Sequence, residues 1–365
     1  MSYAVVDFSA LASNLRVLKS RVRGRKIMAA VKANAYGHGL VPTALRLQRL
    51  GIDYLAVAFA SEGVRLRTSG IRTPILILSA LEDADTAVRH GLSVTVYSER
   101  MIPLLERAAA ARKRRLKVHL DADTGMGRIG LPPDRIIPAA ERILGSRHLI
   151  LEGFYTHFSS SEDRDDPYVE GQLRIFRKIL SELSERGIRP PLIHAANSGA
   201  ILNRPDAWFD MVRPGIALYG YPPGPGLPGA KALKPVLSLH SRIAFLKTIR
   251  KKTGIGYSHS YTARPGQVIA TVPVGYGDGY DRRLSNAGRI ILRDRFAPVV
   301  GRVSMDQITV DVTNVPRAAE GDPVILLGSS GRLSNTADDI ARQTGTISYE
   351  VLCAISPRIE RVYEG

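Results

Sequence analysis

The sequence predicts a two-domain α/β protein, an N-terminal (β/α)8 TIM-like barrel followed by a mainly β domain. Three observations carry that expectation. Over the first two thirds of the chain, eight apolar or β-rich runs alternate with helical patterns. A proline- and glycine-rich segment, Tyr221–Gly229, then interrupts the pattern, and beyond it short strand patterns are separated by Gly, Pro, Asn and Asp turns. Finally, chemically varied residues stand at or just after the ends of several runs, where a barrel gathers its functional groups.

The runs lie near 26–32, 53–58, 74–79, 92–97, 115–121, 150–156, 192–195 and 209–218. Helical stretches between them include 40–50, 98–113, 132–145 and 168–187, with Pro132-Pro133 and the Asp163–Pro167 cluster as entry signals. A doubly wound open sheet is the competing architecture. Lys32, Asp121, His157, Asn197, Ser198 and Arg213 decide between the two. A barrel brings such strand ends to one mouth, whereas an open sheet would spread most of them too far apart to share a site. The expected barrel spans 8–228 and the β domain 229–365, with residues 1–7 a candidate addition to the latter. Strands of the β domain are expected near 236–250, 267–274, 289–303, 307–312 and 323–328.

Composition narrows the function class. A chain of 365 residues exceeds one typical domain, and 44% hydrophobic residues suffice for a sizeable core. No apolar stretch reaches membrane-spanning length, and the start lacks a basic region followed by an apolar one. Cys353 is the only cysteine, so an internal disulfide is impossible and no metal site is expected. A soluble cytoplasmic protein is the expectation. The net charge of +17 and pI near 10.1 would suit a nucleic-acid binder. Yet the basic clusters at Arg21–Lys26, Arg112–Arg115 and Arg250–Lys252 lack interleaved aromatics. They read as solvated surface, attractive to acidic metabolites, with neither nucleic acid nor membrane as partner.

Lys32 carries the chemistry. It closes the apolar run Ile27–Val31, and a glycine-rich turn, Asn34–Gly39, separates it from the helical pattern at Leu40. An amine at the end of a core strand is partly desolvated, which lowers its pKa and exposes a nucleophilic lone pair. On position alone the commoner explanation is a lysine whose stem snorkels along apolar surface. Its companions point elsewhere: several tyrosines, two arginines in glycine-rich turns, and a helix start at Asn197-Ser198-Gly199 suited to an anion. Such a set matches a pyridoxal phosphate site.

Seven motifs in order then resemble the alanine racemase family over essentially the full length. They are Ala30–Gly39, Asp123–Gly130, Met211–Gly220, Gly256-Tyr257, Val274–Gly279, Gly301–Gln307 and Tyr349–Val351. The resemblance implies interconversion of L- and D-alanine through a pyridoxal 5'-phosphate aldimine on Lys32, with a two-base mechanism in which Tyr257 serves the opposite face. It implies that His157 and Arg213 lie against the cofactor ring, with Arg213 at the pyridine nitrogen. Tyr36, Ser198, Tyr349 and the backbone N–H groups of Gly215 and Ile216 would hold the phosphate. Arg128, the Met305 N–H and Tyr276 would meet the substrate carboxylate, with Asp121 and Asp306 in support. Family members are homodimers with shared sites, so Tyr257 and Met305 are expected to serve the partner's cofactor. A role in supplying D-alanine for peptidoglycan follows by the same resemblance. The alternatives are a racemase of broader amino-acid specificity, a non-catalytic cofactor-binding barrel, and a nucleic-acid binder suggested by charge. One position departs from a common family pattern. Two residues before Asp123, where many members carry a carbamylated lysine, this chain has Asp121. A built-in anion on a shorter arm, reaching Arg128 directly or through water, is the expected substitute.

Overall fold

In the computed structural model, residues 2–163 and 165–365 are described; Met1, within the expected 1–7 segment, and Arg164, within the Asp163–Pro167 cluster, lie outside them. The chain forms two compact units. One comprises Ala12–Ala35 and Leu40–Lys234; the other comprises the residues up to Leu11, Tyr36–Gly39 and Pro235–Gly365.

The first unit is a closed barrel of eight parallel strands. Following an N-terminal strand β1 (Tyr3–Asp7), they are β2 (Lys26–Ala30), β3 (Tyr54–Val57), β4 (Ile75–Ile77), β5 (Ser93–Val96), β6 (Leu116–Asp121), β7 (Leu149–Tyr155), β8 (Leu192–His194) and β9 (Met211–Val212). Each pairs in parallel with the next, and β9 returns to β2 through Lys26–Met211 and Ile27–Val212. The barrel, not the open sheet, is the architecture. Parallel strands covered on both faces carry apolar side chains on both, which is why β3 and β4 are buried throughout and read as continuous runs; β5 is buried throughout as well, with Ser93 and Thr95 among its residues.

The helices begin where the local chemistry starts them. Asp83 accepts from the N–H groups of Asp85 and Thr86 before the helix Ala84–Arg89, Asp166 accepts from Tyr168 before Pro167–Glu185, and Asn197 accepts from Ala200 before Ser198–Asn203. Pro133 opens a short 3-10 turn that leads into Ile136–Gly145. Leu40–Arg49 and Met101–Ala111 form as the apolar periodicity predicts. Among the described residues no helix is long and apolar enough to cross a membrane.

The barrel core is only partly apolar. Met28, Ala56, Leu76, Leu192 and Met211 pack around Tyr54. Ser93, His119, Glu152 and His194 are also buried in these strands. The register of β6 against β7 shifts between Val118 and His119, and Gly153 stands beside the His119 ring.

The second unit is built on a mixed sheet. β1 pairs antiparallel with Leu237–Arg242 and parallel with Glu360–Glu364. Pro323–Ser330 and the hairpin Arg289–Leu292/Arg295–Pro298 extend the sheet. Phe245–Thr248, Val268–Val272 and Ile308–Asp311 form a separate three-stranded sheet. This part of the chain is mainly β, as expected, with the helices Ala337–Thr344 and Ser348–Cys353 and short 3-10 turns among the strands. Thr336 caps the former, its Oγ1 accepting from the Asp339 N–H while Asp339 accepts from the Thr336 N–H.

A Cβ added to Gly153 would stand 2.2 Å from His119 Nδ1. Gly153→Ala therefore destabilises the protein by about 2–3 kcal/mol through overpacking. Gly171→Ala, inside Pro167–Glu185 with nothing within 4 Å of the new atom, stabilises it by about 0.5–1 kcal/mol. Urea unfolding of the two variants checks this; shifts of equal sign would contradict the packing account.

Candidate active site

Lys32 follows β2 by two residues. Val31 continues the ladder, its N–H donating to Ala56 O at 2.8 Å, and Tyr219 OH donates to Ala30 O at 2.9 Å. The chain then winds left-handed. Ala33 (φ 52°, ψ 54°), Asn34 (φ 55°, ψ 41°), Ala35 (φ 54°, ψ 51°) and Tyr36 (φ 53°) all hold positive φ, and Ala35 N–H closes the turn on Val31 O at 2.8 Å. For residues with a Cβ this conformation costs about 1–2 kcal/mol each. Polar ties offset part of that cost. Glu62 bridges the turn to the segment after β3, accepting from Ala33 N–H at 2.7 Å and Ala58 N–H at 2.8 Å. Asn34 Oδ1 accepts from Leu40 N–H at 2.9 Å. The expected glycine-rich turn is present, with positive φ at Gly37 and Gly39, but the strain lies earlier, in four residues that are not glycine.

Arg213 follows β9 and is buried. Its Nη1 donates to His194 Nδ1 at 2.7 Å, and its Nη2 donates to Thr156 O at 2.7 Å, Ala195 O at 3.1 Å and His157 Nδ1 at 3.2 Å. The guanidinium carbon stands 5.0 Å from the centre of the Tyr155 ring. Burial lowers its pKa to about 10, against the opposing pull of Tyr155 and Asp121. Burial, then the charges of Arg213, Arg128 and Lys32, hold His157 well below the usual imidazole range, so its ring is neutral.

Asp121, the last residue of β6, is buried and hydrogen-bonded with Tyr155. Burial raises its pKa to about 7, outweighing Arg213, the Tyr155 hydrogen bond and the weaker influence of Arg128. The expected anion is therefore only partly ionised near neutral pH, and its polar partner is Tyr155 in place of Arg128. Arg128 itself is exposed, at the end of a loop that Asp123 shapes by accepting from Gly125 and Gly127 N–H at 2.9 and 3.0 Å.

Ser198 is buried at the start of its helix, and its Oγ accepts from the N–H groups of Gly215 (2.9 Å) and Ala217 (3.2 Å). The Gly215 N–H, expected to face a phosphate, is thus turned to Ser198. The hydroxyl that gathers both amides keeps its own proton to donate. Lys32, Asp121, Arg128, His157, Ser198, Arg213, Gly215 and Ile216 all lie beyond or at the carboxyl ends of barrel strands.

The remaining expected residues belong to the second unit. Tyr36 is buried with its ring centre 6.1 Å from that of Tyr349, and burial followed by Tyr349 raises its pKa. Tyr257 is 69% exposed, Met305 53% and Tyr276 43%. Tyr276 N–H donates to Ser304 O and Gly277 N–H to Met305 O, which locks two loops together. Arg358 completes the lock: its Nε donates to Asp278 Oδ1 at 2.7 Å and its Nη2 to Asp306 Oδ1 at 2.8 Å. Sequence reasoning missed Arg358, Glu62, Tyr155 and His194. A signal existed for the last: a histidine inside an otherwise apolar strand run must find partners.

Family descriptions match nearly the whole chain: alanine racemase, N-terminal domain, over residues 6–223, and alanine racemase, C-terminal domain, over 236–363. The alanine racemase of Symbiobacterium thermophilum is 40% identical over 366 residues, covering 100% of this chain and 97% of the relative. The crystal structure of the alanine racemase from the D-cycloserine producer Streptomyces lavendulae superposes with a TM-score of 0.94 at 33% identity, covering 100% of this chain and 97% of that one. That of the Bacillus anthracis alanine racemase with bound L-Ala-P gives 0.92 at 34% identity, covering 100% and 95%.

Because the folded pKa of Asp121 lies above its unfolded value, the stability it confers is present at low pH and lost as pH rises from about 4 to 7. Asp121→Asn is neutral throughout and avoids that loss. Its unfolding free energy relative to the parent rises across this window by up to about 4 kcal/mol. Urea titrations at pH 4, 5.5, 7 and 8 measure it; a difference constant with pH would contradict the assigned burial.

Proposed function

The chain belongs to the alanine racemase family, and we propose that it interconverts L- and D-alanine with pyridoxal 5'-phosphate, using Lys32 and Tyr257 as two acid–base groups on opposite faces of the substrate. The observation that carries this reading is the placement of Lys32 just past the end of β2, in a barrel whose other strand ends hold buried Arg213 and Ser198 and half-buried His157.

The donor set fits the cofactor at both ends. A hydroxyl that already organises two backbone amides, with the neighbouring Ile216 N–H, suits a phosphate. Tyr36 and Tyr349 are the phenol donors proposed for the same group. A buried arginine fixed through both terminal nitrogens suits a ring nitrogen that accepts a hydrogen bond. When bound, pyridoxal phosphate supplies an electron sink for the pair left on the substrate Cα. The chain's own residues do the rest. Lys32 would hold the cofactor through its amine and, when that amine is free, would move the proton at the substrate Cα on one face. Tyr257 moves the proton on the other. A phenol of ordinary pKa near 10 is a weak base at neutral pH. His157 assists it: its Nδ1 accepts from Arg213, so its Nε2–H is the side left to donate to the phenolic oxygen. Arg213 does not readily give up a proton, so it would hold the cofactor's ring nitrogen by donating a hydrogen bond without protonating it, and the sink supplied there would be a weak one. Arg128, the Met305 N–H and Tyr276 receive the substrate carboxylate. Asp306, through Arg358, steadies the Met305 loop, and Asp121 supports the barrel side through Tyr155.

The exposure of Tyr257 and Met305 supports a homodimer in which each chain lends both residues to its partner's cofactor. A cytoplasmic enzyme supplying D-alanine for peptidoglycan is the proposed biological setting.

Mixed dimers test the shared site. Lys32→Ala and Tyr257→Phe are each nearly inactive as homodimers. Co-refolded in equal amounts, they recover roughly a quarter of parental racemisation, because about half the dimers are mixed and each keeps one intact site. Mixtures as inactive as their parents would contradict the sharing.

A further inference from the structure

Behind Arg213, the barrel interior carries a row of polar groups to which the chemistry above gives no role. Arg213 Nη1 meets His194 Nδ1 at 2.7 Å, His194 Nε2 meets His119 Nδ1 at 2.9 Å, and His119 Nε2 meets Glu152 Oε2 at 3.2 Å. Both histidines are fully buried. Glu152 also accepts from Tyr54 OH and Ser93 Oγ, and pairs with Lys117 Nζ at 2.6 Å. Lys117 is half-exposed near the amino end of β6, so the row runs from the mouth of the barrel toward its other end.

The direction of every hydrogen bond in the row is fixed by its ends. A guanidinium only donates and an ionised carboxylate only accepts. With the histidines neutral, Arg213 donates to His194, His194 to His119 and His119 to Glu152, and each imidazole must carry its proton on Nε2. Burial lowers the pKa of both histidines, which keeps them neutral. Burial works against ionisation of Glu152 as well, but the hydrogen bonds from His119, Lys117 and Tyr54 outweigh it and hold its pKa at about 2. If His194 carried its proton on Nδ1, an N–H would face the Arg213 N–H and the guanidinium would have to turn.

We propose that Glu152 is a positioning residue for racemisation: through His119 and His194 it fixes the imidazole tautomers and so the orientation of the Arg213 guanidinium. The proposal rests on the reading of Arg213 as the group at the cofactor ring. In Glu152→Gln the new amide must point its NH2 at either His119 or Lys117, both donors, and the anion that ends the row is gone. In His119→Gln the side-chain oxygen accepts from His194 and the nitrogen donates to Glu152, so the direction survives; His119→Leu breaks the row.

Two readouts test this. In 15N-histidine NMR of the cofactor-loaded protein, the parent shows His119 and His194 as Nε2–H tautomers with slowly exchanging protons, and Glu152→Gln loses this pattern. In steady-state kinetics, Glu152→Gln and His119→Leu lower kcat about tenfold with KM changed less than about twofold, whereas His119→Gln keeps most of the parental kcat. Unchanged histidine signals or unchanged kcat in Glu152→Gln would overturn the proposal. So would equal losses in the two His119 variants, which would mean that the row only fills the core. A parent protein that neither binds pyridoxal phosphate nor racemises alanine would overturn the functional reading instead, while the NMR result would still judge the row.

Discussion

A single left-handed turn sets the terms for the barrel site. Strand β2 delivers its end to the mouth of the barrel, and the chain must leave it so that the Lys32 amine stays with the other strand ends. It does so by winding Ala33 through Tyr36 in a conformation that residues with a Cβ avoid. At about 1–2 kcal/mol each, four such residues cost several kcal/mol, a large share of the net stability of a typical domain. Strain of that size persists only where the surroundings over-determine the backbone. Glu62 supplies much of the constraint, since one carboxylate joins the turn to the segment after β3. Tyr219, bonded to Ala30 O, fixes the end of the strand itself.

The second constraint is electrostatic. A buried guanidinium is tolerable only when its donors are satisfied. Arg213 meets that demand with two backbone carbonyls and two neutral imidazoles, and its neighbouring carboxyl, Asp121, is itself pushed toward the neutral form. The arrangement keeps a strong donor in place without surrounding it by anions. In the proposed site, an arginine so held would offer the cofactor's ring nitrogen a hydrogen bond and withhold a proton.

Much of the fold was legible because strands buried on both faces leave a continuous apolar signature, and β3 and β4 carry it plainly. Lys32, Ser198 and Arg213 were legible as polar residues punctuating the ends of such runs. The left-handed turn was not: Ala33, Ala35 and Tyr36 have no local preference for positive φ, and Glu62, which ties them, lies 29 residues from Ala33. Asp121 was read as an anion because its burial depends on Tyr155 and the barrel around it, not on its neighbours in sequence. The row through His119, Glu152 and His194 fell inside strand runs whose apolar members dominated the pattern. Thr336 and Asp339 did carry a capping signature, but the helix they start is only 8 residues long. Arg358 has no local signal at all, since its partners Asp278 and Asp306 are 80 and 52 residues away.

The proposed role of Lys32, presented by this strained turn, is to carry the cofactor. Borohydride reduction of the pyridoxal phosphate-loaded protein, followed by peptide mass mapping, tests it most directly. One reduced adduct per chain is expected, on Lys32, with racemase activity lost in proportion. An adduct on any other lysine, or full activity after Lys32 has been modified, would contradict it.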